Sequence, residues 1–193
     1  MIERQPPRGG LENAGVRLDE RGHIVTGRDL ATTAPGTYAA GDMSGWMPFT
    51  HAAHAMGRLA ARNALRRRWS PPAPFTTAAI PWVVFTDPEV AQVGLTEPQA
   101  AATQPGARVA YLPMSEADRA VTAGRTEGFV TIIAGRRRVL GNAGGGRTGM
   151  FTGRLARAVH AYPTWSVAIQ QAAAQFFGQF GGRTARPAEP GPR

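Results

Sequence analysis

Thr37-Tyr38-Ala39-Ala40-Gly41-Asp42 is the stretch from which the rest of the chain is read. It is apolar and strand-like, and it stops at a Gly-Asp pair. A loop follows, Met43-Ser44-Gly45-Trp46-Met47-Pro48-Phe49, and residues 50–65 then carry a helical pattern. A strand ending this way delivers a carboxylate to one point, with a helix N-terminus beside it. Asp42 can accept hydrogen bonds from sugar-type hydroxyls, and Gly41 lets a ligand approach the backbone. The N–H groups at the helix start favour negative charge, which suits a polyol joined to an electron-rich ring. Taken alone, a Gly-Asp pair is first of all a strand-ending turn, so its neighbours must decide.

Composition narrows the classes. A length of 193 residues allows one good-sized domain, or one domain and part of another. No run of about 18 apolar residues exists, and the N-terminus has no apolar signal region, so no membrane span is expected and the cytoplasm is the expected location. The chain has no cysteine, which excludes disulfides, thiolate metal sites and a thiol nucleophile of its own. The net charge of +9 comes entirely from arginine, since lysine is absent. In an Ala-, Gly- and Pro-heavy chain this reads as compositional bias. Arg66-Arg67-Arg68 and Arg136-Arg137-Arg138 read as a solvated helix end and a solvated hairpin turn, with no nucleic acid partner expected. His51 and His54 lack a third ligand nearby, so they read as helix-surface residues and no metal site is expected.

Further along, Asp19 to Gly22 are turn residues between short apolar pieces, as in a hairpin. Small residues Ala53, Gly57, Ala60 and Ala64 recur at helical spacing, with Arg58, Arg62 and Arg66 on another face. Residues 71–78 form a Pro-rich linker. Beyond it, strands are expected over 80–86, 90–94, 109–112, 129–134 and 138–140. Thr96-Glu97-Pro98-Gln99 has capping-box spacing for a helix through about 102. Trp165, Ile169, Ala172 or Ala173, and Phe176 form an apolar helix face, with Thr164 as its N-cap. Short turns between such strands argue for an antiparallel α+β module.

The run from Thr37 to Asp42, with Pro48-Phe49-Thr50-His51-Ala52-Ala53 and Gly57-Arg58-Leu59-Ala60-Ala61-Arg62-Asn63, resembles the second FAD-binding motif of the pyridine nucleotide-disulfide oxidoreductases, a family that includes dihydrolipoamide dehydrogenase and mercuric reductase. Two other stretches resemble the same family in the same order. Ile80-Pro81-Trp82-Val83-Val84-Phe85-Thr86-Asp87-Pro88-Glu89-Val90 is similar to the opening of its dimerisation domain. His160-Ala161-Tyr162-Pro163-Thr164 is similar to its C-terminal His-Pro turn. Arg4-Gln5-Pro6, followed by Leu11-Glu12-Asn13-Ala14-Gly15-Val16, is similar to the family's exit from its NAD domain.

What the resemblance implies is specific. Gly41 and Asp42 would contact the ribityl chain of FAD, and the backbone from Pro48 through Phe49, Thr50 and His51 would face the flavin pyrimidine. Tyr162 stands where dihydrolipoamide dehydrogenase-like members have a histidine base, and Val167 stands where they have its orienting glutamate. An ordinary tyrosine is a poor base at neutral pH, so dithiol chemistry is not carried over, and a mercuric-reductase-like branch is the better comparison. Packing at an aromatic-Pro turn is the other reading of Tyr162. NAD(P) belongs only to a complete enzyme, since no Gly-x-Gly-x-x-Gly here follows a strand and opens a helix.

The expected organisation is an α+β chain. Residues 1–70 would be the last part of an FAD-binding domain (strand, loop, helix). Residues 79–180 would be a dimerisation domain, an antiparallel sheet with helices on one side, and 181–193 a disordered tail. The dimerisation domain is expected to be shortened near 141–157, where Gly-rich sequence replaces an amphipathic helix. The function expected is part of an FAD-dependent NAD(P)H:disulfide or metal-ion oxidoreductase in cell redox homeostasis, inactive alone, and working as a homodimer or with a separately encoded N-terminal half. Two rivals are a non-catalytic interaction module and a basic RNA-binding protein, the latter predicting steep salt dependence.

Overall fold

The computed structural model describes residues 10–67, 69–143 and 149–191. The Arg4-Gln5-Pro6 turn, Arg68 and the Gly144-Gly145-Gly146 run lie outside the described residues. Packing divides the chain into two units, Met1–Ile80 and Pro81–Arg193.

In the first unit an irregular chain of turns leads to one helix, α1 (Thr50–Ala64). The expected hairpin turn forms around Asp19: Leu18 bridges Ile24, and Asp19 Oδ1 accepts from the backbone N–H of Arg21 and His23. The run from Thr37 to Ala40 is held by an isolated Tyr38 to Ala31 bridge, by Ala39 N–H on the Leu30 carbonyl and by Thr32 N–H on the Thr37 carbonyl, and Asp42 opens a 3-10 turn. The run is therefore not a ladder strand, because the facing segment turns away at Leu30, whose φ is +68°. Leu30, Ala52, Met56, Ala60 and Phe75 form the core under α1. Asn63, buried near the helix end, donates to the carbonyls of Asp29 and Ala73 and accepts from the Ala73 N–H, all at 2.9 Å. One amide thus ties the helix to the Pro-rich segment.

The second unit is a six-stranded antiparallel sheet. Its strands are β1 (Trp82–Val84), β2 (Val90–Gly94), β3 (Arg108–Pro113), β4 (Phe129–Ala134), β5 (Val139–Ala143) and β6 (Arg186–Pro187), in the order β1-β2-β5-β4-β3-β6. Its helices are α2 (Glu97–Thr103), α3 (Asp118–Thr122), α4 (Thr152–Arg157) and α5 (Val167–Ala174). Alternation sorts the strand residues. Ala110, Leu112, Val130, Ile132 and Val139 face one way and pack against Ala120 of α3, Leu155 of α4 and Ala168, Ala172 and Ala173 of α5. Val109 and Ile133 face the other way, against Ala100 of α2. The expectation of helices on one side therefore holds for α3 to α5 and not for α2. The Thr96 capping box forms as expected, with Thr96 Oγ1 accepting from Gln99 N–H and Gln99 Oε1 from Thr96 N–H.

Two local expectations are corrected. The last helix starts at Val167 with Ser166 as N-cap. Thr164 instead donates to the Ala161 carbonyl, and Trp165 lies outside the helix, largely exposed. After the Gly-rich run the short helix α4 packs Leu155 and Ala156 on the core. The segment expected as a disordered tail is instead strapped to the sheet up to residue 191. Arg183 pairs with Glu116, Arg186 pairs with Glu97, and β6 pairs with Arg108 and Val109 of β3. Beyond β6, the Gln175 side chain takes over the β3 edge, accepting from Tyr111 N–H at 3.2 Å and donating to its carbonyl at 2.9 Å.

Candidate functional site

The Gly41 turn is built tightly against α1. Gly41 has φ +83° and ψ −158°, a conformation open essentially to glycine alone, and an added Cβ would stand 3.3 Å from the Ala53 Cβ. Its carbonyl accepts from Ser44 N–H at 3.0 Å and Ser44 Oγ at 2.7 Å, and the same hydroxyl lies 3.6 Å from Met56 Sδ. Gly45 closes the turn onto the Asp42 carbonyl, with His23 packed where its Cβ would be. The turn is thus pinned to the first two turns of the helix while Asp42 itself is exposed. Among the described residues, the Asp42 carboxylate has no hydrogen-bond or ion-pair partner.

The helix start has matching properties. Phe49 is the N-cap, with extended backbone and no capping side chain. Its ring stacks on His51, with centroids 5.5 Å apart. Pro48, Thr50 and His51 are exposed and Phe49 is half-buried. An uncapped first turn leaves amide N–H groups that attract a polarised oxygen or a developing negative charge. Gly41 is buried against Ala53, while Asp42, Pro48, Thr50 and His51 are exposed on the turn and on the helix start that the turn is pinned to. Trp46, which lies in the same loop, is fixed by its Nε1–H bond to Thr26 Oγ1 and by an edge-on contact with Phe75.

Tyr162 belongs to the second unit and is 71% exposed. Its hydroxyl donates to Asp118 Oδ2 at 3.0 Å. That hydrogen bond, and then the Asp118 charge, hold the phenol above the usual tyrosine pKa. The adjoining hollow, lined by Asp118, Tyr162 and Pro163, has a volume of about 10 Å³, room for no more than one water. The Tyr162 hydroxyl is thus anchored on Asp118 and holds its proton more tightly than an ordinary phenol. Asp118 escaped the sequence reading because it lies 44 residues away on another element.

Two sequence models match the chain: "Pyridine nucleotide-disulphide oxidoreductase" over residues 3–57 and "Pyridine nucleotide-disulphide oxidoreductase, dimerisation domain" over residues 80–149. A dihydrolipoyl dehydrogenase of Thermus scotoductus is 39% identical over 64% of this chain and 26% of its own. A second dihydrolipoyl dehydrogenase, from Haloarcula marismortui, is 33% identical over 88% of this chain and 38% of its own. A mercuric reductase of Streptomyces lividans is 33% identical over 86% and 38%. Among solved structures, LpdA of Mycobacterium tuberculosis superposes with a TM-score of 0.75 at 29% identity, covering 86% of this chain and 39% of that one. The HOCl-induced flavoprotein disulfide reductase RclA of Escherichia coli gives 0.74 at 25% identity, covering 90% and 43%. The chain therefore spans between about a quarter and two-fifths of the length of these relatives. The Haloarcula alignment runs over 185 positions yet covers 88% of this chain, so that relative carries residues absent here.

Proposed function

Because the chain belongs to the pyridine nucleotide-disulphide oxidoreductase family, covering part of an FAD domain and the dimerisation domain, we propose that it supplies one side of a flavin site and a dimer surface to an FAD-dependent NAD(P)H:disulfide or metal-ion oxidoreductase. The observation that carries this is the exposed, unpartnered Asp42 on a glycine-only turn pressed against α1. Asp42 accepts hydrogen bonds from ribityl hydroxyls, and the backbone around Pro48, Phe49, Thr50 and His51 faces the ring. When bound, FAD would relay electrons from a reduced nicotinamide toward a disulfide or metal substrate. This chain's part is to orient the ribityl chain and stabilise charge at the ring edge. With no cysteine, it holds no redox thiol of its own.

Dimerisation is supported by an uncovered sheet face. The register places Trp82, Val84, Val90, Tyr111 and Phe129 on the face that α2 covers only in part. Val84, Val90 and Phe129 are 49%, 51% and 52% exposed. Exposed apolar side chains of this kind on one sheet face support an association site. Tyr162, with no substrate-sized hollow of its own, serves the active site of a partner subunit.

Riboflavin is the discriminating probe, because it carries the ribityl chain and ring without the adenosine. The chain should bind it weakly, and Asp42→Ala should weaken that binding about tenfold, the loss of a charge-assisted hydrogen bond. Equal affinity in both proteins would overturn the assignment. NAD(P)H oxidation by the pure chain with added FAD should be undetectable. A second reading, an interaction module docking on a separately encoded front half, is favoured by the missing thiols. An upstream reading frame that ends in the remaining domains would distinguish it.

A further inference from the structure

The second unit contains an open cleft of about 710 Å³ that no part of the flavin reading uses. Its size falls within the range of small-molecule sites, about 300–1,000 Å³. Three aromatic rings, Phe151, Phe176 and Phe177, and three arginines, Arg108, Arg136 and Arg137, line it, with no carboxylate among the lining residues.

Two of the rings are held in place by cations. The Arg108 guanidinium lies over the Phe176 ring at 5.6 Å and donates to the Ala185 carbonyl at 2.9 Å. Arg138 lies over the Phe151 ring at 4.3 Å and donates to the Gly149 carbonyl at 2.8 Å. Both arginines are therefore spent on building walls. Arg136 and Arg137, on the turn between β4 and β5, are exposed, and among the described residues their side chains make no hydrogen bond or ion pair. Part of the turn's backbone is already paired. The Arg137 carbonyl accepts from Thr152 N–H at 3.0 Å and Thr152 Oγ1 at 3.2 Å, and Gly135 N–H bonds the Arg138 carbonyl. What the cleft offers is planar ring faces beside two free planar cations.

We propose that this cleft binds a nucleoside phosphate, with the base against Phe151 and Phe177 and the phosphates against Arg136 and Arg137. Guanidinium forks match phosphate oxygens in pairs, and a ring face accepts any base. The site is independent of the flavin reading and stands or falls without it.

Calorimetric titration of the full chain at low salt with ADP, adenosine and inorganic pyrophosphate tests it. ADP should bind one per chain, about tenfold or more tighter than either half alone. Arg136→Gln with Arg137→Gln should weaken ADP about tenfold, and Phe177→Ala several-fold. All these positions are exposed, and circular dichroism checks that the variants fold. Pyrophosphate binding as tightly as ADP, ADP affinity unmoved by both variants, or no saturation below about 5 mM would each overturn the proposal.

Discussion

Two residues separate packing from chemistry. Gly141 in β5 sits so close to the neighbouring chain that an added Cβ would overlap the Leu95 carbonyl. A backbone atom cannot swing aside as a side chain can. Gly141→Ala should therefore destabilise the second unit by about 1–3 kcal/mol, read as a lowered midpoint in urea. Tyr162 tests the electrostatics. Its phenol is held above its ordinary pKa by the hydrogen bond to Asp118 and by that carboxylate's charge, so Asp118→Asn should lower it toward the usual tyrosine range. Titration of tyrosinate absorbance, with Tyr162→Phe as the subtraction, follows that one group among three tyrosines. The Tyr-Pro turn could be read from its own residues, and the glycine at 41 from its place before Asp42. Asp118 and Asn63 could not, because what makes them matter is a partner distant in the chain.

At the scale of elements, legibility followed locality. β4 runs over the expected residues and the Thr96 capping box forms, because both are written in adjacent residues. The C-terminal strap was hidden, since its Gly, Arg and Pro composition resembles that of an unfolded tail and its partners lie 67 and 89 residues away. Burial works to raise the Glu97 pKa, but the hydrogen bonds from Arg186 and Glu189 N–H bring it below the ordinary carboxylate range. Arg183 does the same for Glu116 through its hydrogen bonds. Depressed folded values mean stability that is present above the unfolded carboxylate range and lost as pH falls through the folded values. The strap should loosen in acid, near and below about pH 4. Glu116→Gln should imitate that at neutral pH, and faster tryptic cleavage after Arg183 is the readout. No change in cleavage rate would show that the Arg186–Glu97 pair and β6 hold the strap without Glu116.

At the scale of the whole chain, composition misleads where patterning does not. A charge of +9 without a lysine suggests a nucleic-acid surface, yet Arg183 and Arg186 are engaged in the C-terminal strap and Arg67, Arg108 and Arg138 lie over aromatic rings. The uncovered apolar sheet face is the larger fact. Phe129→Asp should shift the chain toward monomer in sedimentation, by about tenfold or more in dissociation constant, since burying an unpaired carboxylate is costly. The Gln175 side chain is bonded to both backbone polar groups of Tyr111 at the β3 edge. It stands in for the strand that β6 is too short to provide, so that margin has few donors or acceptors left to recruit a foreign ribbon. Lateral addition of a strand is thereby disfavoured along that margin, a protection the side chain of one glutamine supplies where the chain has run out of β6.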